Sequence, residues 1–251
     1  MTIKARPLTE DERIEISRKY REGRTAPSLT REYQCSLHQV YDIAKKYGGK
    51  YKHNQEVEIS ERQHQILLGG WLGDGYFKLN GNTNVCYVEC HAEGEYEYLQ
   101  WKFEELGILT QDTKIYSKNE NNEHNSAREF TTKTTPSLIK YRSYTRSEVI
   151  QNLDELGLII HLLDDGWLRI TTEHLRKGNY NITTYTWSPE ERQLLIDQWY
   201  NVMGVVFNER GIKKVNLAAT NSESQKIYEI AKKYIPMNLD ICQKKFRIFN
   251  L

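Results

Sequence analysis

The chain has 251 residues, enough for one large domain or for two to three smaller ones with cores of their own. Its 35 lysines and arginines nearly balance 34 acidic residues, so the overall charge neither indicates nor excludes a nucleic-acid partner. No apolar run reaches membrane length, the N-terminus shows no signal-peptide pattern, and the four cysteines suggest no disulfide framework. These features predict a protein of a reducing compartment without a membrane partner.

Three short helices are predicted within residues 1–49. A capping box of Thr9 and Glu12 begins the first helix, and the second and third span Pro27–Tyr33 and Ser36–Lys46. The segment LTREYQCSLHQVYDIAKKYG is similar to the helix-turn-helix of resolvases and transposases, which implies a DNA-binding domain. The resemblance assigns these residues to the major groove or to phosphates: Leu37, His38, Gln39, Asp42, Lys45 and Lys46. The alternative is a three-helix packing module whose charged faces are only solvated.

An apolar run that ends in an acid, a glycine and an aromatic residue occurs twice after a polar linker at residues 50–60. The first copy, ILLGGWLGDGYF, contains Asp74, and the second, GLIIHLLDDGWL, contains Asp165. The two acids are 91 positions apart, a repeat that is too long for a solenoid unit but suits a duplicated half-domain. We therefore predict two related halves, residues 61–146 and residues 147–251.

Each half is predicted to follow the order α-β-β-α-β-β-α. In the first half, the turn signal Asn80-Gly81-Asn82 joins two strands, and in the second half Ser188 and Pro189 begin a helix. This order predicts an α+β fold in which each half forms a curved four-stranded antiparallel sheet with helices behind it. Basic side chains lie on or beside the predicted strands: Lys78, Arg128, Lys133, Arg169, Arg176, Lys177, Lys213 and Lys214. Their common location favours a DNA-binding face, although solubility alone explains any single one of them.

Gly69 and Gly73 lie four residues apart and therefore on one face of the first motif helix. Glycine within a helix costs about 1 kcal/mol relative to alanine, so a pair indicates the close approach of another helix. If that partner is the helix of the repeat, Asp74 and Asp165 meet at the C-terminal ends of both helices, where the helix dipole is already negative. Two carboxylates held together against that field predict divalent cations between them.

The two motifs resemble the paired signature of the LAGLIDADG homing endonucleases, in the single-chain form with two repeats. The first motif matches the signature at Leu67, Gly69, Gly73, Asp74 and Gly75. The second motif departs from it at Ile160 and Asp164, where small residues are common. The resemblance covers residues 58–251 or so. Two ordinary buried helices that end in cap glycines would leave the repeated acid unexplained.

This resemblance implies two sheets that form a saddle over the DNA major groove, and a site-specific endonuclease that makes double-strand breaks. It also implies a dependence on Mg²⁺, for which Mn²⁺ can substitute. Asp74 and Asp165 are the implied catalytic residues and metal ligands, and the backbone carbonyls of Gly73 and Asp164 are further ligands.

Additional basic or polar residues are implied to order the attacking water. His91 takes that role in the first half, and a lysine near the final strand, Lys244 or Lys245, takes it in the second. Arg146 is the nearest basic candidate for the residue that often precedes the second motif. The implied enzyme acts as a monomer on double-stranded DNA, within a mobile genetic element such as an intron or intein. Its compartment would be the cytoplasm of a bacterial or phage-infected cell, or an organelle matrix.

Two other functions are open on the same scaffold. One is a non-cleaving transcriptional regulator of the sporulation type, a class that resembles the fold but generally lacks the acids. The other is an intron RNA maturase, for which the host intron RNA would be a partner. The presence of both Asp74 and Asp165 favours the nuclease over the regulator.

Overall fold

The computed structural model describes residues 6–22, 24–47, 56–80, 84–119, 126–172 and 177–249. The first three helices are α1 (Glu10–Arg21), α2 (Ala26–Tyr33) and α3 (Leu37–Lys46). Each begins with a serine or threonine whose hydroxyl accepts a hydrogen bond from the first turn. Their buried residues form a cluster of their own that includes Ile16, Leu29 and Val40. The assignment of these helices to DNA binding stays a prediction.

The first half combines three α-helices with one four-stranded sheet. Its elements are α4 (Glu61–Leu72), β1 (Gly75–Asn80), β2 (Asn84–Ala92), α5 (Tyr96–Glu105), β3 (Ile115–Asn119), β4 (Ser126–Thr131) and α6 (Ile139–Ser143). The sheet has the order β1-β2-β4-β3, and every neighbouring pair is antiparallel.

The second half repeats this topology. Its elements are α7 (Arg146–Gln151), α8 (Glu155–Asp165), β5 (Gly166–Thr172), β6 (Lys177–Thr183), α9 (Pro189–Met203), β7 (Phe207–Arg210), β8 (Asn216–Ala219), α10 (Asn221–Ala231) and α11 (Asp240–Lys245). Its sheet has the order β5-β6-β8-β7, again with antiparallel pairs. The predicted α+β fold with two four-stranded antiparallel sheets is therefore confirmed.

Two helices were not predicted from the sequence. A capping box of Thr145 and Glu148 begins α7, just before the second motif helix. The C-terminal helix α11 carries Lys244 and Lys245, so the expectation that these lysines lie near a final strand is wrong. Local signals for α11 are weak because the residue before it, Leu239, makes no side-chain cap.

The strand register shows that the two halves are built alike. Gly75, directly after Asp74, pairs with Glu89, whereas Gly166, directly after Asp165, pairs with Ile182. Equivalent positions of the central strands therefore carry a carboxylate in one half and an aliphatic side chain in the other.

A single hydrophobic cluster joins the two halves across α4 and α8 and includes Leu67 and Ile160. The end of the predicted linker also packs onto it, where the Val57 N–H donates to Ser137 Oγ at 2.7 Å. Within the part of the chain that the structure describes, no helix has both the length and the apolarity to span a membrane.

Candidate active site at the ends of the paired helices

Glycines allow the backbones of α4 and α8 to approach each other closely. A Cβ atom at Gly69 would lie 2.5 Å from the Gly157 carbonyl oxygen and 2.9 Å from Ile160 Cβ. A Cβ atom at Gly157 would lie 2.6 Å from Gln65 Oε1. Buried Gln65 of α4 binds the backbone just before α8, because its side chain donates to the Asn152 carbonyl and accepts from the Asp154 N–H, each at 2.9 Å. The helices therefore end side by side.

Asp74 and Asp165 lie at these two helix ends and remain open to solvent. Their side chains are 40% and 33% exposed, whereas the polar groups around them are buried. Burial, and after it the negative charge of Asp74, raises the pKa of Asp165 to about 6. The two motif carboxylates are thus close enough to repel each other, and a cation between them would relieve that repulsion.

Asp164, the extra acid of the second motif, crosses the helix interface into the first half. It stands at the position that Gly73 has in the first motif, and a Cβ atom at Gly73 would lie 2.8 Å from Asp164 Oδ2. Its carboxylate accepts a hydrogen bond from the Tyr98 hydroxyl at 2.9 Å. Lys102 Nζ lies 2.8 Å from both of its oxygens. The side chain of Asp164 is therefore fully buried in an ion pair with α5.

The same ammonium group of Lys102 also donates to Glu89, so one buried cation serves two carboxylates. Burial opposes the ionised form of both acids, but the nearby charges of Lys102 and His91 outweigh it at Glu89 and lower the pKa of Glu89 to about 2. Burial instead dominates at Asp164 and raises the pKa of Asp164 to about 7. Burial would lower the pKa of Lys102, yet the Asp164 and Glu89 carboxylates raise it above its ordinary value.

His91 connects this buried network to Asp74. Its Nε2 lies 2.9 Å from Glu89 Oε1, and its Nδ1 lies 3.5 Å from Asp74 Oδ2 and 3.4 Å from Glu95 Oε2. Burial would lower the pKa of His91, but the hydrogen bonds with Glu89 and Glu95 raise it to about 9. One ligand atom each of Asp74, His91 and Asp164 lies within 4.8 Å of the others, which makes this group a candidate cation site.

The surroundings of Asp165 are different. Its nearest imidazole is His161, one turn earlier on α8, with Nε2 at 3.9 Å from Asp165 Oδ2. His161 is fully buried, stacks on Trp187, and has no hydrogen-bond partner among the described residues. Burial lowers the pKa of His161 to about 3, so its ring is neutral. Arg146 lies over the Trp187 ring, and its positive charge acts against the rise in the pKa of Asp165.

The two candidate lysines of α11 have different environments. Lys245 is buried and donates to the Leu163 carbonyl, and its Nζ lies 3.2 Å from the Asp164 carbonyl. Burial lowers the pKa of Lys245. Lys244 is 68% exposed and pairs with Glu95 Oε1 at 2.8 Å. Of the two, Lys245 lies at the end of the second motif helix.

The exposed faces of the two sheets carry aromatic and basic side chains in matching places. Tyr76 and Lys78 alternate with buried Phe77 on β1, and Trp167 and Arg169 occupy the corresponding exposed positions on β5. Such a surface can stack on sugars and bases and can pair with phosphates.

The other basic residues predicted to contact DNA differ in their surroundings. Arg128 forms two hydrogen bonds with Glu93, and Lys133 lies 3.8 Å from Asp112. Lys177 is exposed at the start of β6, and Lys213 and Lys214 are exposed in the turn between β7 and β8. Arg176 lies outside the described residues.

The predicted recognition helix α3 presents most of its named residues to solvent. Leu37, Lys45 and Lys46 are exposed, and His38 pairs with Asp42 at 3.3 Å. Gln39 is different, because its side chain accepts from the Ser36 N–H at 2.8 Å and donates to the Arg6 carbonyl at 3.3 Å. Gln39 therefore serves as part of the helix cap.

Sequence reasoning missed Glu89, Lys102 and Tyr98 as parts of the site. A signal was present for Glu89, because strand alternation places it on the same face as buried Tyr87 and His91. Lys102 lies on the buried face of α5 with Tyr98 and Leu99, and a lysine within such a face requires a carboxylate partner.

Comparisons with known proteins agree with this architecture. A profile of the LAGLIDADG DNA endonuclease family matches residues 64–227. The solved structure of the homing endonuclease I-WcaI bound to its DNA recognition sequence has the same fold, with a TM-score of 0.62 and 18% identity over 81% of this chain and 91% of that chain. Proteins named RecA from Mycolicibacterium flavescens and Mycolicibacterium chitae are 22% and 24% identical over 213 residues, which is 77% of this chain and 49% of each of those proteins. The chain thus spans about half the length of the curated relatives it matches.

Proposed function

Because the chain belongs to the LAGLIDADG DNA endonuclease family, we propose that it is a homing endonuclease that hydrolyses both strands of a specific DNA site. The single observation that carries this proposal is the pair of motif aspartates. Asp74 and Asp165 lie at adjacent helix ends and remain partly exposed, and burial together with the charge of Asp74 raises the pKa of Asp165. A regulator that only binds DNA has no need of two unneutralised carboxylates at this place.

The residues at the helix ends fit a hard divalent cation. Carboxylate and carbonyl oxygens are the donors that Mg²⁺ prefers, and Mg²⁺ commonly takes only one or two protein carboxylates. Asp74 and Asp165 would hold the ions, with the Gly73 carbonyl as a further donor. The Asp164 carbonyl is also available, although Lys245 already lies 3.2 Å from it. Bound Mg²⁺ or Mn²⁺ would supply electrostatic stabilisation of the phosphate under attack.

The chain's own residues would orient the water and stabilise charge around the phosphate. His91 lies beside Asp74, and Lys245 lies beside the end of α8, so each half has a nitrogen donor close to its aspartate. Lys245 suits this role better than Lys244, which pairs with Glu95 at the surface. A donor aimed at developing negative charge is worth about 100- to 1000-fold in rate.

The sheets would bind the DNA. The exposed residues of β1 and β5, including Lys78 and Arg169, lie on the strands that directly follow the two motif aspartates. A duplex bound on this face therefore extends from the cleavage site across both sheets. The helices α1 to α3 would add a second contact through Lys45 and Lys46, which are exposed at the end of α3.

Asp74→Asn and Asp165→Asn test the nuclease proposal directly. A target is first selected by binding the full chain to a pool of randomised duplexes and is then cloned into a supercoiled plasmid. Each variant should cut this plasmid at least about 1000-fold more slowly than the wild type in Mg²⁺, because each loses a charged ligand. Both should still bind the selected duplex in the presence of Ca²⁺.

Glu22→Gln, an exposed substitution at the C-cap of α1, serves as the control and should cut normally. If both aspartate variants cut as fast as this control, the helix ends are not the catalytic site. If the wild type binds its duplex but never cuts it in Mg²⁺ or Mn²⁺, the chain is a DNA-binding protein on this scaffold.

Lys45→Ala combined with Lys46→Ala tests the role of the N-terminal helices. If both lysines contact phosphates, the double variant should bind the selected duplex more weakly, and the slope of log affinity against log salt should fall by about 2. Lys226→Ala on α10, far along the chain in the second half, is the matched control. An unchanged salt slope would exclude α3 from the DNA interface.

A further inference from the structure

The imidazole of His91 is held between a buried carboxylate and a solvent-exposed one. Its side chain is fully buried, with Nε2 at 2.9 Å from Glu89 Oε1 and Nδ1 at 3.5 Å from Asp74 Oδ2. Glu89 is itself fixed by Lys102 and by the Tyr87 hydroxyl, which donates to Glu89 Oε2 at 2.7 Å. The ring is thus oriented by buried groups and directs one nitrogen towards Asp74.

This arrangement matches the way proteins prepare histidine as a metal ligand. A ligating histidine commonly donates its other ring N–H to a carboxylate, which fixes the tautomer and makes the ligating nitrogen more basic. At His91, the Nε2–H donates to Glu89, while Nδ1 lies between Asp74 Oδ2 at 3.5 Å and Glu95 Oε2 at 3.4 Å. A metal ion bound beside Asp74 would therefore take the place of the proton on Nδ1.

The distances also suit a shared ion. Ligands of one Mg²⁺- or Mn²⁺-sized ion lie about 3 Å from each other, since each lies about 2.1 Å from the metal. The separation of 3.5 Å between His91 Nδ1 and Asp74 Oδ2 needs only a small adjustment to reach that value. Asp164 offers a third ligand atom, a carboxylate oxygen within 4.8 Å of both.

We infer that His91 is a direct metal ligand, so that the Asp74 site is a mixed nitrogen and oxygen site that favours Mn²⁺ and Co²⁺ over Mg²⁺ and Ca²⁺. Imidazole nitrogen binds first-row transition ions more strongly than it binds Mg²⁺ or Ca²⁺. This inference rests on the proposed nuclease function only in its use of Asp74 as a ligand. It also makes the two sites of the enzyme chemically different.

Electron spin-echo spectroscopy of bound Mn²⁺ tests the inference without any cleavage assay, because only a directly bound nitrogen gives a strong ¹⁴N coupling. The experiment uses the full chain with Asp165→Asn, which leaves the Asp74 site as the intact one. We expect a ¹⁴N coupling in this protein, and we expect it to change to the ¹⁵N pattern when the histidines are labelled with ¹⁵N. Adding His91→Gln should abolish the coupling.

The labelling experiment needs no substitution at His91, so it remains decisive even if the His91→Gln chain fails to fold. Asp74→Asn with Asp165 intact is the matched control and should lack the coupling that depends on His91. Bound Mn²⁺ without nitrogen coupling in the Asp165→Asn protein would overturn the inference and would show that carboxylates alone hold the ion. Failure of that protein to bind Mn²⁺ at millimolar concentration would overturn it as well.

A competition measurement gives the size of the effect. In the Asp165→Asn background, His91→Gln should reduce the preference for Co²⁺ over Mg²⁺ by about 10-fold or more. An unchanged preference in a folded variant would exclude His91 as a ligand. These results are separable from the nuclease proposal, because an enzyme that needs Asp74 for cutting but shows no nitrogen coupling keeps its proposed function and loses only this inference.

Discussion

The ends of the two motif helices have the same backbone plan but different chemistry. After each aspartate a glycine begins a strand, and that glycine pairs with the central strand of its sheet, at Glu89 in one half and at Ile182 in the other. The first half surrounds its aspartate with buried ionised groups, whereas the second half offers the ring of Trp187 and a neutral histidine, His161, to which no described residue hydrogen-bonds. Duplication has therefore preserved the geometry of the site while its polar contacts have diverged.

The second motif contributes to this difference through its extra acid. Asp164 occupies the place that Gly73 has in the first motif, and its side chain projects into the first half, where Lys102 neutralises it. No side chain can make the reciprocal contact, because Gly73 has none. The buried ion pair of the first half therefore depends on Asp164 of the second half. Substitutions in each half can test this difference between them.

The largest effect is expected from removing the buried ammonium group of Lys102. Lys102→Met leaves the carboxylates of Glu89 and Asp164 without their shared partner, so the free energy of unfolding should fall by about 3–5 kcal/mol in a urea titration. Lys226→Met in the second half, which removes the exposed lysine of a surface pair with Glu223, should change it little. A loss no greater than that of the control would show that the first half does not depend on its buried charges.

A smaller effect is expected where the two halves share a contact equally. In Gly69→Ala the new Cβ would lie 2.5 Å from the Gly157 carbonyl oxygen, so α4 and α8 must move apart. We expect a loss of about 1–3 kcal/mol in the free energy of unfolding, because added atoms strain a packed interface. Gly94→Ala is the control, since nothing lies within 4 Å of a Cβ atom there. Equal stability of the two variants would mean that the helix pair is looser than described.

The smallest effect concerns the coupling between the two aspartates. Folding raises the pKa of Asp165 to about 6, so the folded state binds this proton more tightly than the unfolded chain does. Ionised Asp165 therefore destabilises the fold as pH rises from about 4 to about 6, and the cost is fully present above that range. In EDTA, Asp165→Asn should be more stable than the wild type by about 1–2 kcal/mol above pH 6 or so, after allowance for solvent screening, and by nothing near pH 4 or so.

Asp74→Asn sharpens this last measurement. Without the charge of Asp74, the gain from a second substitution at Asp165 should shrink, because burial alone would then raise the pKa of Asp165. Unfolding curves of both single variants and the double variant give the coupling. A gain that is the same with and without Asp74 would show that the two helix ends do not interact.

Several parts of the site could be predicted from the sequence, and particular residues show where prediction stopped. The motif aspartates and His91 were named because a repeated pattern and a family resemblance mark them. Lys102 was not named, although its position on an apolar helix face was a usable signal. The choice between Lys244 and Lys245 could not be made, because neighbouring residues on a helix point in different directions, and only packing decides which one is buried.

The sequence by itself determined most of the elements of this protein, since helix caps, turn residues and hydrophobic alternation act over a few neighbouring positions. It also determined the duplication, because the two motifs repeat the same local pattern. Only the tertiary structure decided which charges meet. Lys102 joins Glu89 across 13 positions and Asp164 across 62, and such partners depend on how sheets and helices pack, which no local pattern encodes.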